Sequence, residues 1–560
     1  MTKHLITSAT PYINGVKHLG NLAGSLLPAD IHARFLRQRG EDVLFVCGTD
    51  EHGTPAEIAA RAAGIPVRTF CDEQHAVQAD VYRRFDLSFD HFGRSSSPQN
   101  HALTQHFYRR LDEAGLIEER VVDQVWSVKG GRFLPDRYVL GTCSHCGFGD
   151  ARGDQCDGCG TLLDPTDLIS PRSALSGSGE IERRPSRHLF LRQAALREAL
   201  SEWIDGKEGW PRWVTSLARS WLGEGLRDRC ITRDLEWGVP VPRPGFEGKV
   251  FYVWFDAPIG YLAATKEWSD LAPDDRDWLE WWRGADVRYV QFLGQDNVPF
   301  HTVGFPATLL GSGEPWKTVD VVKGFRWLTF EGGKFSTSSN RGIFADAALE
   351  AAPADAWRWW LIANSPETSD VDFTIDRFVR DVNKDLADVI GNLVSRSQAL
   401  AAKRFGDILP ASTAGNRLEE VLARDLSAAV DEAARCHSDL SFRKAAAATR
   451  ECWTLTNAYF SAAAPWSADI DDARSAAVLQ TTFRAISVSA RASAPIVPSL
   501  SRSILRSLGE REEQRWPVSA DGTVLHEISD RRIGPVTRPF PRIALESLAR
   551  FAADAATPRT

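Results

Sequence analysis

The chain has 560 residues, of which 25% are charged and 43% hydrophobic, and carries a formal net charge of −8 at pH 7. That length is too great for a single core, so roughly three or four domains are expected. The acidic balance excludes a broad basic coat and leaves any nucleic-acid partner to local patches.

No apolar stretch reaches the roughly 18 residues that a membrane span needs. The N-terminus, MTKHLITSATPY, lacks the long apolar core of a secretory signal, so a cytoplasmic protein with no membrane partner is expected. Residues 4–10 read as a strand. GNLAGSLLPADIHARFLRQRG reads as a helix, with Leu22, Leu26, Ile31 and Phe35 at helical spacing and Gly40 as its stop. DVLFVCGTDEHGTP reads as a second strand whose polar residues gather at its carboxyl end. Strand, helix and strand of these lengths make a βαβ unit and predict a parallel sheet, with ligands beyond the carboxyl ends of its strands. Residues 9–21 and 48–54 belong there. Residues 119–225 read as an insertion carrying a cysteine set, and strand-like segments return at 250–258 and 287–296. From about residue 375 to 510 the chain is Ala-rich and helical; the tail beyond is mixed, Pro-punctuated and expected to pack back on the rest.

Two glycine-bearing segments suggest phosphate chemistry. In SATPYINGVKHLGNLAGS, Gly15 and Gly20 have P-loop spacing, but Asn21 and Leu22 follow where a P-loop needs Lys and Ser/Thr, and no dinucleotide fingerprint is present. What remains is a helix N-terminus with free N–H groups beside His18, an imidazole able to donate to a phosphate oxygen. Far downstream, FEGGKFSTSS places Lys334 after a Gly-Gly turn and before a run of hydroxyl side chains. Taken alone, His18 also reads as a histidine satisfied by a carbonyl, and the Lys334 segment as an exposed loop.

GTCSHCGFGDARGDQCDGCG contains Cys143-x2-Cys146 and, nine residues on, Cys156-x2-Cys159. Four thiolates at this spacing fit one structural, tetrahedral Zn2+ with no open position. The remaining cysteines, Cys47, Cys71, Cys230, Cys436 and Cys452, are scattered and read as small buried apolar residues. Met1 is the only methionine in the chain.

The pairing of P-Y-x-N-G-x-x-H-L-G-N with KFSTS resembles the two signature motifs of class I aminoacyl-tRNA synthetases. Over nearly the whole chain the resemblance points to the methionyl family, through CGTDEHGTP, FLPDRYVLGTC, CITRDLEWGVPVP, KVFYVWFDAPIGYL and DNVPFH. HLGN, DQCDGCG and the KFS spelling are similar to its eukaryotic and archaeal branch. The resemblance implies an α/β fold in which a Rossmann-like parallel-sheet catalytic domain is split by a zinc-binding insertion and followed by an all-α anticodon-binding bundle. The expected divisions are 1–118 and 226–317 for the two catalytic halves, 119–225 for the insertion, 318–375 for a stem-contact segment with the KFSTS loop, and 376–560 for the helical domain and tail.

The activity it implies is ATP-dependent activation of methionine to methionyl-adenylate and transfer to tRNA(Met), with Mg2+ accompanying ATP. His18, Asn21 and Lys334 are then the catalytic candidates. ATP contacts fall to Tyr12, His18, Gly20, Asn21, Gly294, Asp296 and Lys334. Asp50 is implied at the substrate ammonium, and Thr10, Tyr12, Trp254, Ala257, Pro258, Tyr261 and His301 around the side chain. Asn392 and Arg396, four apart on one helix face, and Trp466 are implied to read the CAU anticodon; alone they also read as a solvated face and a core residue. A monomer is expected.

Three positions depart from the family pattern: Thr337 replaces the second lysine of the loop signature, Gln295 stands where lysine is common, and Thr10 replaces a leucine. A sealed hydroxyl in the pocket costs about 1–3 kcal/mol without a partner. These departures motivate three alternatives: an inhibitor-resistant second copy, an enzyme for a different amino acid, and a non-charging tRNA-binding paralogue.

Overall fold

The computed structural model describes every residue except 1, 155, 157, 160, 162, 224–225, 336–340, 413–415, 512–514, 518–530, 550 and 552–560. Seven strands carry the architecture: β1 (Lys3–Ser8), β2 (Asp42–Thr49), β3 (His91–Arg94), β4 (Ile117–Ser127), β5 (Ile181–Leu191), β6 (Val287–Gly294) and β7 (Val321–Phe325). Five of them form one parallel sheet in the order β7-β6-β1-β2-β3. β1 and β2 are buried along most of their length, as strands covered by helices on both faces must be. From β1 the chain steps to β2 on one side and later to β6 on the other. The crevice created by that reversal opens at the strands' carboxyl ends, where ligands of open α/β sheets bind.

The expected helix after β1 forms, with a π-wound middle at Leu22–Leu26 and a regular stretch at Leu27–Gln38. Gly40, at φ +79°, ends it in the left-handed region that glycine enters without a steric cost. The strand expected over 250–258 does not form. Only Val250–Phe251 pair as a strand, and Val253–Asp256 and Gly260–Asp270 are helical. The reason lies in the spacing: Trp254, Ala257, Pro258 and Tyr261 fall at i, i+3, i+4 and i+7, a helical period, and Pro258 has no N–H to give a ladder.

The insertion is a long antiparallel pair, β4 against β5, paired from Ile117↔Leu191 to Ser127↔Ile181. Beside it a small three-stranded sheet, Val139–Thr142 between Ala151–Arg152 and Ile169–Ser173, surrounds the cysteines and has its own core, including Tyr138, Val139 and Leu168.

The C-terminal part is helical: Asn392–Phe405, Arg417–Ser438, Phe442–Ala463, Asp472–Ser493 and Pro498–Ser507. The tail packs back through reciprocal 2.8 Å hydrogen bonds between the Asn383 amide and the Ile543 backbone. A fully buried ion pair, Arg358 to Asp30 at 2.7 Å, ties the helix Ala354–Ala363 to the sheet domain, and the same guanidinium bonds the Pro495 and Ile496 carbonyls of the helical part. No helix among the described residues is long and apolar enough to cross a membrane.

Candidate active site

The loop after β1 is held against the loop after β2 by two backbone hydrogen bonds, Asp50 N–H to the Pro11 carbonyl and Ile13 N–H to the Asp50 carbonyl, both 2.9 Å. The Gln78 amide donates to the Tyr12 and Gly15 carbonyls at 3.0 and 2.9 Å and pins the loop from below. Tyr12 and Asp50 thus sit side by side at the strand ends. Asp50 is 6% exposed, and its Oδ1 has no hydrogen-bond partner among the described residues.

His18 caps the helix that begins at Leu19. Its ring stacks on Phe335 with centroids 4.9 Å apart, next in sequence to Lys334. The same two segments are stitched by backbone, Leu19 N–H to the Ile343 carbonyl at 3.0 Å and Ala345 N–H to the Lys17 carbonyl at 2.9 Å. The early imidazole and the late lysine segment therefore meet at one place. Burial pushes the His18 imidazole down to about 3, with Lys17 adding to the effect, so it is neutral at pH 7. The buried Asn21 Oδ1 and His18 Nδ1 lack partners among the described residues. A Cβ at Gly20 would lie 3.0 Å from His18 Nδ1, so glycine there keeps the imidazole's surroundings open. Lys334 is exposed. Thr337 lies outside the described residues.

Gly294 ends β6, and Asp296 follows on a short turn. Gln295 Oε1 accepts from Arg326 at 3.0 Å, so a protein cation approaches this position without the family's lysine.

Behind these, Tyr261 and His301 are buried and joined by a 2.9 Å bond. The His301 Nδ1 lies 2.9 Å from the Asn297 carbonyl and must donate to it; Nε2 is then the acceptor for the Tyr261 hydroxyl. Burial pushes His301 down to about 4, in keeping with that neutral tautomer. Trp254 stacks on Phe300 with centroids 3.7 Å apart and meets Tyr12 edge-on at 6.3 Å. Ala257 and Pro258 are buried in the turn that follows the short helix Val253–Asp256. Thr10 is half-buried, and its hydroxyl is not among the sealed atoms without partners. Phe300 and Phe335 were not singled out from the sequence. Their signal was adjacency to His301 and Lys334, which motif reading passes over because both look like core.

The four cysteines of the insertion bring their sulfurs within 4.8 Å of one another. Cys146 and Cys156 Sγ are 3.6 Å apart. A tetrahedron of thiolates about 2.3 Å from zinc has edges of about 3.8 Å. The donor set and its spacing fit that metal, which would brace the two knuckles and supply no reactive position.

On the helical part, Asn392 and Arg396 are both exposed on the helix Asn392–Phe405. The Arg396 guanidinium lies 5.4 Å from the Trp466 ring centre, and Trp466 is 48% exposed. Ala464, at φ +40°, makes the turn that projects Trp466 outward.

Residues 4–398 match the family described as tRNA synthetases class I (M), and residues 409–554 match the anticodon binding domain of methionyl tRNA ligase. A methionine–tRNA ligase of Caulobacter vibrioides is 54% identical over 566 aligned residues, covering 99% of each chain. One from Ruegeria is 55% identical over 92% of each chain, and one from Streptomyces avermitilis 54% identical over 93% of each. Among solved structures, the methionyl-tRNA synthetase of Mycobacterium tuberculosis in complex with methionyl-adenylate superposes with a TM-score of 0.78 at 25% identity, covering 97% of this chain and 100% of that one.

Proposed function

The chain belongs to the methionyl family of class I tRNA synthetases, and on that premise we propose that it is a methionine–tRNA ligase that activates methionine with ATP and charges tRNA(Met). The observation that carries the reading is the meeting of His18 with the Lys334 segment at the carboxyl end of a doubly wound sheet. The bound methionyl-adenylate of the M. tuberculosis relative supports the same chemistry.

In this reading Asp50 holds the substrate ammonium, and the thioether lies against Trp254, Ala257, Pro258 and Tyr261 with His301 behind. The carboxylate attacks the α-phosphorus of ATP, and the terminal ribose hydroxyl of the tRNA then takes the acyl group. His18, Asn21 and the helix N-terminus face the phosphates, with Tyr12, Gly20, Gly294 and Asp296 around the nucleotide and Lys334 approaching from the opposite side. Acceleration comes from alignment and charge stabilisation rather than from a covalent intermediate. Mg2+ accompanies ATP, and the cysteine set holds a structural Zn2+. Asn392, Arg396 and Trp466 read the anticodon; a half-exposed indole beside a guanidinium suits stacking on an unpaired base.

ATP–pyrophosphate exchange with a panel of amino acids, with and without tRNA, tests the proposal. Methionine-dependent exchange is expected. No exchange with any amino acid overturns the enzyme reading, and preference for another amino acid overturns the choice of substrate.

A further inference from the structure

A buried polar cluster joins Asp50 through His52, two residues on, and has no part in the scheme above. Asp256 ends the short helix Val253–Asp256 that carries Trp254, and it is 0% exposed. Its Oδ2 accepts from His52 Nδ1 at 2.6 Å and from Asn100 Nδ2 at 3.3 Å. Its Oδ1 is sealed from solvent and has no partner among the described residues, like Oδ1 of Asp50. Burial first, and then the charge of Asp256, push the Asp50 carboxyl well above the usual carboxylate range. The third carboxylate here, Glu51, is already satisfied by Arg94 at 3.0 Å and by the hydroxyls of Thr49 and Ser96. The cation facing Asp50 is Lys17, whose ammonium is bonded to Asn14 Oδ1 at 2.7 Å.

Two sealed carboxylates, each with an unused oxygen and each raising the other's free energy, are a costly arrangement unless a cation completes it. The ammonium of the bound amino acid is such a cation. We propose that Asp256 is a positioning residue for the substrate ammonium: Asp50 takes its hydrogen bonds, and Asp256, clamped by His52 and Asn100, supplies a second negative charge behind it. The inference rests on the reading of Asp50 as the ammonium's partner. It makes the site selective for amino acids over carboxylic acids that share the same side chain.

The test compares methionine with its desamino analogue, which keeps the carboxylate and thioether and lacks the ammonium. In the Asp256→Asn enzyme the KM for methionine in ATP–pyrophosphate exchange rises about tenfold or more, as expected for loss of a buried negative charge near the ammonium. Its kcat stays within about threefold, and inhibition by the desamino analogue keeps its unmodified constant. His52→Asn, whose amide N–H replaces that of His52 Nδ1 and leaves Asp256 charged and hydrogen-bonded, retains the preference for methionine. If the asparagine variant fails to fold, Asp256→Ser carries the same comparison.

Equal weakening of methionine and analogue, or an unchanged ratio, overturns the inference. Absence of methionine-dependent exchange in the unmodified enzyme overturns instead the proposed function on which it rests.

Discussion

Arg358→Met is the most demanding perturbation of the fold. The guanidinium is 0% exposed and makes five hydrogen bonds: to the carbonyls of Ile496, Pro495, Phe85 and Asp86 at 2.8, 2.9, 3.1 and 3.2 Å, and to Asp30 Oδ2 at 2.7 Å. Methionine fills much of the volume and satisfies none of these. Asp30 keeps Arg34 at 2.9 Å and Ser88 through both its N–H and hydroxyl, so the carboxylate is not stranded, and the Asp86 carbonyl keeps Arg34, but the Phe85, Pro495 and Ile496 carbonyls lose their donor. Breaking a buried pair from one side costs about 3–5 kcal/mol, and equilibrium urea denaturation should show a loss of about that size. The same guanidinium joins a helix of the sheet domain to the turn at Pro495–Ile496 of the helical part. Exchange without tRNA should therefore stay within about threefold, while tRNA charging, which needs the two parts in fixed relation, falls by about tenfold or more. A loss below about 1 kcal/mol, or an equal fall in both assays, would refute the reasoning.

Three further outcomes follow from the same geometry. Metal analysis of purified protein should find one zinc per chain, lost in Cys146→Ser together with protease resistance of residues 139–173; a metal-free wild-type knuckle of equal resistance would contradict the assignment. Burial holds His32 and His437 at about 3, against an ordinary value near 6.5, so the native state resists protonation. Their contribution to stability is present above pH 6.5 and is lost as pH falls, by about 2 kcal/mol together between pH 7 and 5.5. Urea midpoints at the two pH values check it, and His437→Phe, whose ring nitrogens have no partners among the described residues, should flatten the slope. Trp466→Ala should raise the KM for tRNA about tenfold or more and leave exchange untouched; unchanged charging would remove Trp466 from the tRNA-binding face.

What was legible in the sequence had a short range. The βαβ opening was readable because apolar runs, a Gly stop and polar strand ends are all local. The clustering of the four cysteines was readable because two such pairs at fixed spacing have few other uses. The stretch 250–258 misled because a dense aromatic run has β-like composition, while its side chains recur at helical intervals; period and composition disagreed, and the period prevailed. What no local pattern carries is which buried groups meet. Phe335 looks like core until it is found against His18, and Asp256 looks like one more acidic residue in an aromatic run until its second oxygen is found without a partner.

The arrangement around His301 shows why the distinction matters for selectivity. Its Nδ1 is committed to the Asn297 carbonyl, so Nε2 has no proton to offer and can only accept, and the Tyr261 hydroxyl uses that acceptor. The hydroxyl of Thr10 takes no part in this chain of contacts. Tyr261→Phe would leave His301 Nε2 buried and unpaired, a loss of about 1–3 kcal/mol. Thr10→Leu would leave the Tyr261–His301 bond in place, so it should cost little stability while shifting preference among substrates or inhibitors of different polarity. If Thr10→Leu destabilised the protein as much as Tyr261→Phe, measured by urea denaturation, the Thr10 hydroxyl rather than the Tyr261–His301 bond would be holding the pocket together.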